Sequence, residues 1–166
     1  MDIFQFAMEK EKYSEQYYRK LARRATYTGL KNILTMLANE EAKHYRVVEQ
    51  MRDQAPHEVT DTPVLASARE IFEKMKRTPQ EFEFDVSEAD LYRKACDIEE
   101  ESRRFYLEKA NEVEDPAQKT VFRKLAEEEN KHFVLLEGIR SFVARPQTYL
   151  ENAEFYHFDD YVGGEF

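Results

Sequence analysis

Residues 37–44 read LANEEAKH and residues 125–132 read LAEEENKH. The same shift of 88 places AMEKEKYSEQYYRKLA (7–22) over ACDIEEESRRFYLEKA (95–110), so that Ala7, Glu11, Ser14, Tyr18 and Ala22 meet Ala95, Glu99, Ser102, Tyr106 and Ala110. Shared helical composition scatters matches along a chain, but it does not align two blocks in one register without a gap. The sequence therefore reads as one helix-turn-helix unit used twice. Whatever fold it adopts must give both copies equivalent surroundings.

Breakers are scarce, with 4 Gly and 5 Pro in 166 residues, and charged residues make up 36%. Such a composition favours long helices, in a single domain large enough to build its core without staples. Helices are expected over 2–26, 29–53, 87–114 and 116–144. Thr28-Gly29 marks the first turn. Ser87 with Asp90 resembles a capping box, and Asp115-Pro116 is an N-cap followed by proline at the first helical position. The 54–86 connection, with a short helix in VLASAREIFEKMK (64–76), is far longer than antiparallel neighbours need and suits a crossover along a bundle.

Spacing of i, i+3, i+4 and i+7 picks out one face on each helix. On the second it is Leu34, Leu37, Glu41, His44, Val48 and Met51; on the fourth, Phe122, Leu125, Glu129, His132, Leu136 and Ile139. The first and third present Ala7, Glu11, Ser14, Tyr18 and Ala95, Glu99, Ser102, Tyr106. Each face is apolar or small except at its middle. Glu11 and Glu41 lie at similar distances on either side of the first turn, about 20–25 Å along the helix axis, and Glu99 and Glu129 repeat this around Asp115. Four carboxylates and two imidazoles should therefore converge at mid-bundle.

A single E-x-x-H is common on a solvated acidic helix. Two of them, with two more glutamates in equivalent places, make the ligand inventory of a two-metal carboxylate site. Four ionised glutamates in a dry core repel, and two divalent cations would neutralise them. Hard oxygens with imidazole suit iron; manganese or zinc fit the same donors.

Through Glu11, EEAKH (40–44), Glu99 and EENKH (128–132), residues 1–142 resemble the rubrerythrins and other ferritin-like di-iron proteins. The resemblance implies an all-α, ferritin-like four-helix bundle over 1–146, holding two iron ions. Glu41 and Glu129 would bridge the irons, Glu11 and Glu99 would be terminal ligands, and His44 and His132 would each supply a nitrogen. It also implies an oxidoreductase that reduces hydrogen peroxide, or dioxygen, with electrons from a rubredoxin-type donor. Two features depart from that pattern. No paired C-x-x-C is present, so the donor would be a separate protein, and Ser102 stands where rubrerythrins carry an extra ligating glutamate. The alternative is a ferritin-like protein that oxidises and stores iron.

A net charge of -9 argues against nucleic acid and anionic membranes as partners. The absence of a long apolar run or signal-peptide core predicts a cytoplasmic protein, and a homodimer is expected. Tyr18 and Tyr106 are candidates to hydrogen-bond ligating carboxylates. Cys96 reads as a small buried hydrophobe, His57 and His157 as bystanders, and Glu40, Lys43, Glu128 and Lys131 as the wet outer face. The tail, 147–166, is acidic yet carries Phe155, Tyr156, Phe158, Tyr161 and Phe166, so it should dock on the bundle or on a partner chain.

Overall fold

The computed structural model describes residues 2–161; Phe166 and the rest of the final segment fall outside them. Six α-helices run in the order α1 (Ile3–Arg24), α2 (Thr28–Arg52), α3 (Val64–Arg77), α4 (Glu88–Glu112), α5 (Pro116–Ala144) and α6 (Pro146–Glu151), followed by a 3-10 turn, Glu154–Asp160. No strand occurs among the described residues. The chain is an all-α, ferritin-like bundle.

Local chemistry sets the ends. Asp2 caps α1 by accepting from Gln5 N (2.8 Å), and Arg23 and Arg24 close its last turn where the helix dipole favours cations. Asp115 caps α5 by accepting from Ala117 N (3.0 Å), with Pro116 at the first position. The expected capping box at Ser87 is not formed. Ser87 has helical backbone angles and its side chain caps nothing; Asp85 instead accepts from Ser87 N, while Glu88 accepts from Asp85 N. Helix α1 ends two residues earlier than expected, and α2 takes in Thr28 and Gly29.

Helix α1 packs mainly on α2, and α4 on α5. The two hairpins close into a four-helix ring through α1 against α4 and α2 against α5, which leaves α2 and α4 on a diagonal. Their connection must therefore travel. It leaves near Arg52, passes α5 where Thr62 N–H donates to Glu128 Oε2 (3.0 Å), and arrives at the α1–α2 turn. There the Tyr27 hydroxyl bonds both the carbonyl and the N–H of Glu83, and its ring packs on Phe82 and Phe84. Helix α4 then runs antiparallel to α1, so Tyr17 reaches Leu91 O (2.7 Å) at one end and Phe6 meets Phe105 at the other.

All the residues assigned to inward faces are buried. They form two apolar clusters, one near the α1–α2 turn around Leu21, Leu30, Leu34 and Ile139, the other near the α4–α5 turn around Met8, Val48, Met51, Phe122 and Leu125. Between them lies a polar layer.

After Ala144 the chain folds back on α3 and α5. Tyr149, Phe155 and Phe158 are fully buried, and Phe72 of α3 meets the rings of Phe142, Tyr149, Phe155 and Phe158. Burial of each ring stabilises by about 1.5–3 kcal/mol. Gly138 permits the approach, since a Cβ there would stand 2.6 Å from Phe158 Cζ and 2.9 Å from the Tyr149 hydroxyl. Gly138→Ala, although a better helix former, should thus destabilise the fold by about 1–3 kcal/mol in urea titration, against a gain from helix propensity of under about 1 kcal/mol. Unchanged or increased stability would contradict this account of the tail.

Candidate metal centre

The polar layer holds Glu11 from α1, Glu41 and His44 from α2, Glu99 from α4, and Glu129 and His132 from α5, all at most 4% exposed. The structure brings together all six residues singled out in the sequence. They fall into two quartets whose ligand atoms lie within 4.8 Å of one another: Glu11, Glu41, His44 and Glu129, and Glu41, Glu99, Glu129 and His132. Glu41 and Glu129 belong to both. Sharing of that kind is what two neighbouring ions bridged by two carboxylates require.

Hydrogen bonds in the layer exchange between the repeats. His44 Nδ1 lies 2.6 Å from Glu129 Oε1, and His132 Nδ1 lies 2.8 Å from Glu41 Oε1. The Tyr106 hydroxyl donates to Glu11 Oε1 (2.5 Å), and the Tyr18 hydroxyl donates to Glu99 Oε1. Each contact becomes its counterpart when 88 is added to or subtracted from both residue numbers. The imidazoles stack face to face, 5.6 Å apart and 9° from parallel. Both tyrosines reach carboxylates on the opposite hairpin, as their positions two turns beyond Glu11 and Glu99 suggest.

The electrostatics divide the carboxylates into two kinds. Burial, together with the charges of Glu11 and Glu99, holds Glu41 and Glu129 protonated well above the ordinary glutamate range. Burial acts on Glu11 and Glu99 as well, but hydrogen bonds and the adjacent histidine outweigh it. Glu11, beside Glu41 and His44 and accepting from Tyr106, is lowered, and Glu99, beside Glu129 and His132 and accepting from Tyr18, falls to about 2. Burial depresses His44, yet the Glu11 carboxylate 3.7 Å away leaves it raised. Both tyrosine hydroxyls are pushed well above their usual range, by burial first and then by carboxylate charge, so they stay hydrogen-bond donors at neutral pH.

Donor atoms are left over. Glu11, Glu41, Glu99 and Glu129 each bury an Oε2 without a hydrogen-bond partner, and His132 buries Nε2 likewise. Such orphaned groups are costly in a core, and a divalent cation is the partner that four carboxylate oxygens share most readily.

Three outer-face assignments need correction. Glu40 (6% exposed), Glu128 (0%) and Lys131 (4%) are buried, and of that set only Lys43 is exposed. Glu40 pairs with Lys43 (3.2 Å). The crossover covers Glu128, which pairs with Lys124 (3.2 Å) and Lys131 (3.6 Å), while Lys124 also binds Asp61. Helical periodicity sees a polar stripe there; it cannot see a segment 66 residues away lying across it. Cys96 is 3% exposed, with burial raising its thiol to about 12. His57 and His157 each meet a backbone carbonyl.

The rubrerythrin family model matches residues 2–139, which contain every residue of the layer. No curated protein and no solved structure matches the chain.

The two kinds of carboxylate give the metal-free protein a signed pH dependence. Stability from Glu41 and Glu129, whose folded-state values are raised above 4.5, is complete below that value and lost as pH rises through the raised ones. His44 acts in the same sense from 6.5 upward. Glu11 and Glu99 act oppositely, losing their contribution as pH falls from 4.5, for Glu99 toward about 2. The metal-free melting temperature should therefore fall as pH rises above about 5, and saturating divalent metal should reverse that slope by binding the deprotonated ligands. Parallel pH profiles with and without metal would contradict the assignment.

Proposed function

Because the chain belongs to the rubrerythrin family, we propose that the polar layer holds two iron ions and that the protein reduces hydrogen peroxide with electrons from a separate donor protein. The observation that carries the reading is the pair of buried quartets sharing Glu41 and Glu129, with five orphaned donor atoms among their members. Glu41 and Glu129 would bridge, Glu11 with His44 and Glu99 with His132 would complete the two ends, and the ligand charge of -4 would balance two divalent ions. Manganese or zinc would suit the same donors. Iron would supply the electrons and the Lewis acidity for cleaving an O–O bond.

The protein's own residues supply the rest. Tyr18 and Tyr106 hold the outer carboxylates by donating to Glu99 and Glu11, fixing one oxygen of each and leaving the other for the metal. Glu41 and Glu129 must shed their protons on loading, so metal uptake releases acid. Apolar clusters above and below keep bulk water from the layer. Ser102 in place of an additional glutamate leaves no spare carboxylate on α4 to change partners during turnover, and Glu100 is turned outward onto Arg103 and Arg104. A soluble cytoplasmic homodimer drawing on a rubredoxin-type donor completes the proposal; among the described residues no helix is long and apolar enough to cross a membrane.

Anaerobically loaded protein should hold two ferrous ions per chain and be oxidised faster by peroxide than by dioxygen. Glu129→Ala should abolish the paired site, whereas Glu127→Ala, on the exposed side of α5, should leave iron content unchanged. Equal rates with both oxidants, together with many irons per chain in a large assembly, would replace this reading with iron storage.

A further inference from the structure

The ring of four helices is unevenly closed. Helices α1 and α4 each pack closely on their hairpin partners but touch each other sparingly. Between them lies a cleft of about 240 Å³, walled by Phe6, Tyr13 and Ile98, with Glu9, Lys10 and Glu101 at its rim and Ser14 and Ser102 at its inner end. Phe6 (45% exposed) and Tyr13 (51%) stand at its mouth. Ser14 and Ser102 are 1% and 4% exposed and equivalent in the repeat.

These serines lie one helical turn from Glu11 and Glu99, on the same faces. The next turn carries Tyr18 and Tyr106, and the turn before Glu11 and Glu99 carries Ala7 and Ala95 or Cys96. Along this seam the core thus passes from apolar side chains to carboxylates, then to two small hydroxyls, then to tyrosines. A pair of leucines at 14 and 102 would bury more apolar surface and close the seam. The serines leave space instead. Ser14 turns its hydroxyl back onto Lys10 O (3.1 Å), which draws it away from the centre of the gap. One turn from the serines, on the same faces, Glu11 and Glu99 each bury an unpartnered Oε2.

We propose that this cleft is the route by which a small, neutral oxidant reaches the metal pair, and that Ser14 and Ser102 set the size limit at its inner end. The proposal rests on the di-metal reading above. Two hydroxyls and no carboxylate at the narrowing suit a neutral, hydrogen-bonding molecule of two heavy atoms better than a hydrated cation. Organic hydroperoxides with bulky groups would stop at the serines.

Nitric oxide, a neutral diatomic whose binding to ferrous iron is read by absorption in stopped flow, tests the route without turnover. Tyr13→Cys modified with a benzyl thiosulfonate plugs the mouth at an exposed position outside the ligand set, and Cys96 does not compete because it is buried and its thiol is raised to about 12. Plugging should slow nitric oxide association about tenfold, and reduction of the mixed disulfide should restore it. The same label on Tyr156→Cys, in the tail, should have no effect. Ser14→Val with Ser102→Val should slow association comparably while retaining two irons per chain, and Ser14→Ala with Ser102→Ala should speed the reaction with bulky hydroperoxides relative to hydrogen peroxide. Two irons per chain with an unchanged rate in the plugged protein would overturn the route alone. A wild-type protein that takes up no paired iron would overturn the metal reading and the route with it.

Discussion

Mutual repulsion among four buried carboxylates is the constraint on which the rest of this molecule depends. No helical bundle gains stability from placing Glu11, Glu41, Glu99 and Glu129 within a few ångströms of one another at mid-core. The metal-free protein manages the charge by division of labour. Two glutamates keep their protons, while two are ionised against imidazoles and tyrosine hydroxyls. The apolar clusters on either side supply the stability that the layer between them consumes. The aromatic tail extends the cluster near the α1–α2 turn with Tyr149, Phe155 and Phe158 and so adds to that reserve.

Much of this was legible from residue order alone, because the repeat fixes register. Once LANEEAKH lies over LAEEENKH, the face carrying Glu41 and His44 must match the face carrying Glu129 and His132, and helix geometry sets their heights. The two tyrosines followed from the same arithmetic. Periodicity reports which residues share a side of a helix, but not what lies across that side. Glu128 and Lys131 thus look solvated in sequence and prove to lie beneath the crossover, held by Thr62 and Lys124. Ser87 misled for a local reason. Asp85, two residues earlier, accepts the N–H of Ser87 and draws the serine into helical conformation, which removes it as a cap.

The crossover earns its length from topology. Because α2 and α4 run parallel on a diagonal of the ring, the segment between them must run from one end of the bundle to the other. On the way it shields one side of α5 and gives the tail a platform in α3, through Phe72. It does not cover the seam between α1 and α4. The asymmetry between the two sides of the bundle is therefore set by where the linker runs, although the layer inside is nearly twofold symmetric.

That inner symmetry bears on how the molecule comes together. Each quartet draws three members from one hairpin and the fourth from the other: Glu129 joins Glu11, Glu41 and His44, and Glu41 joins Glu99, Glu129 and His132. The tyrosine clamps cross in the same way. A hairpin on its own would present three of the four ligands of a quartet, with its outer carboxylate unclamped. Only docking of the halves delivers the fourth donor and the clamp to both ends together. Metal retention would then be a property of the assembled pair, and a bound ion would certify that the chain had finished folding.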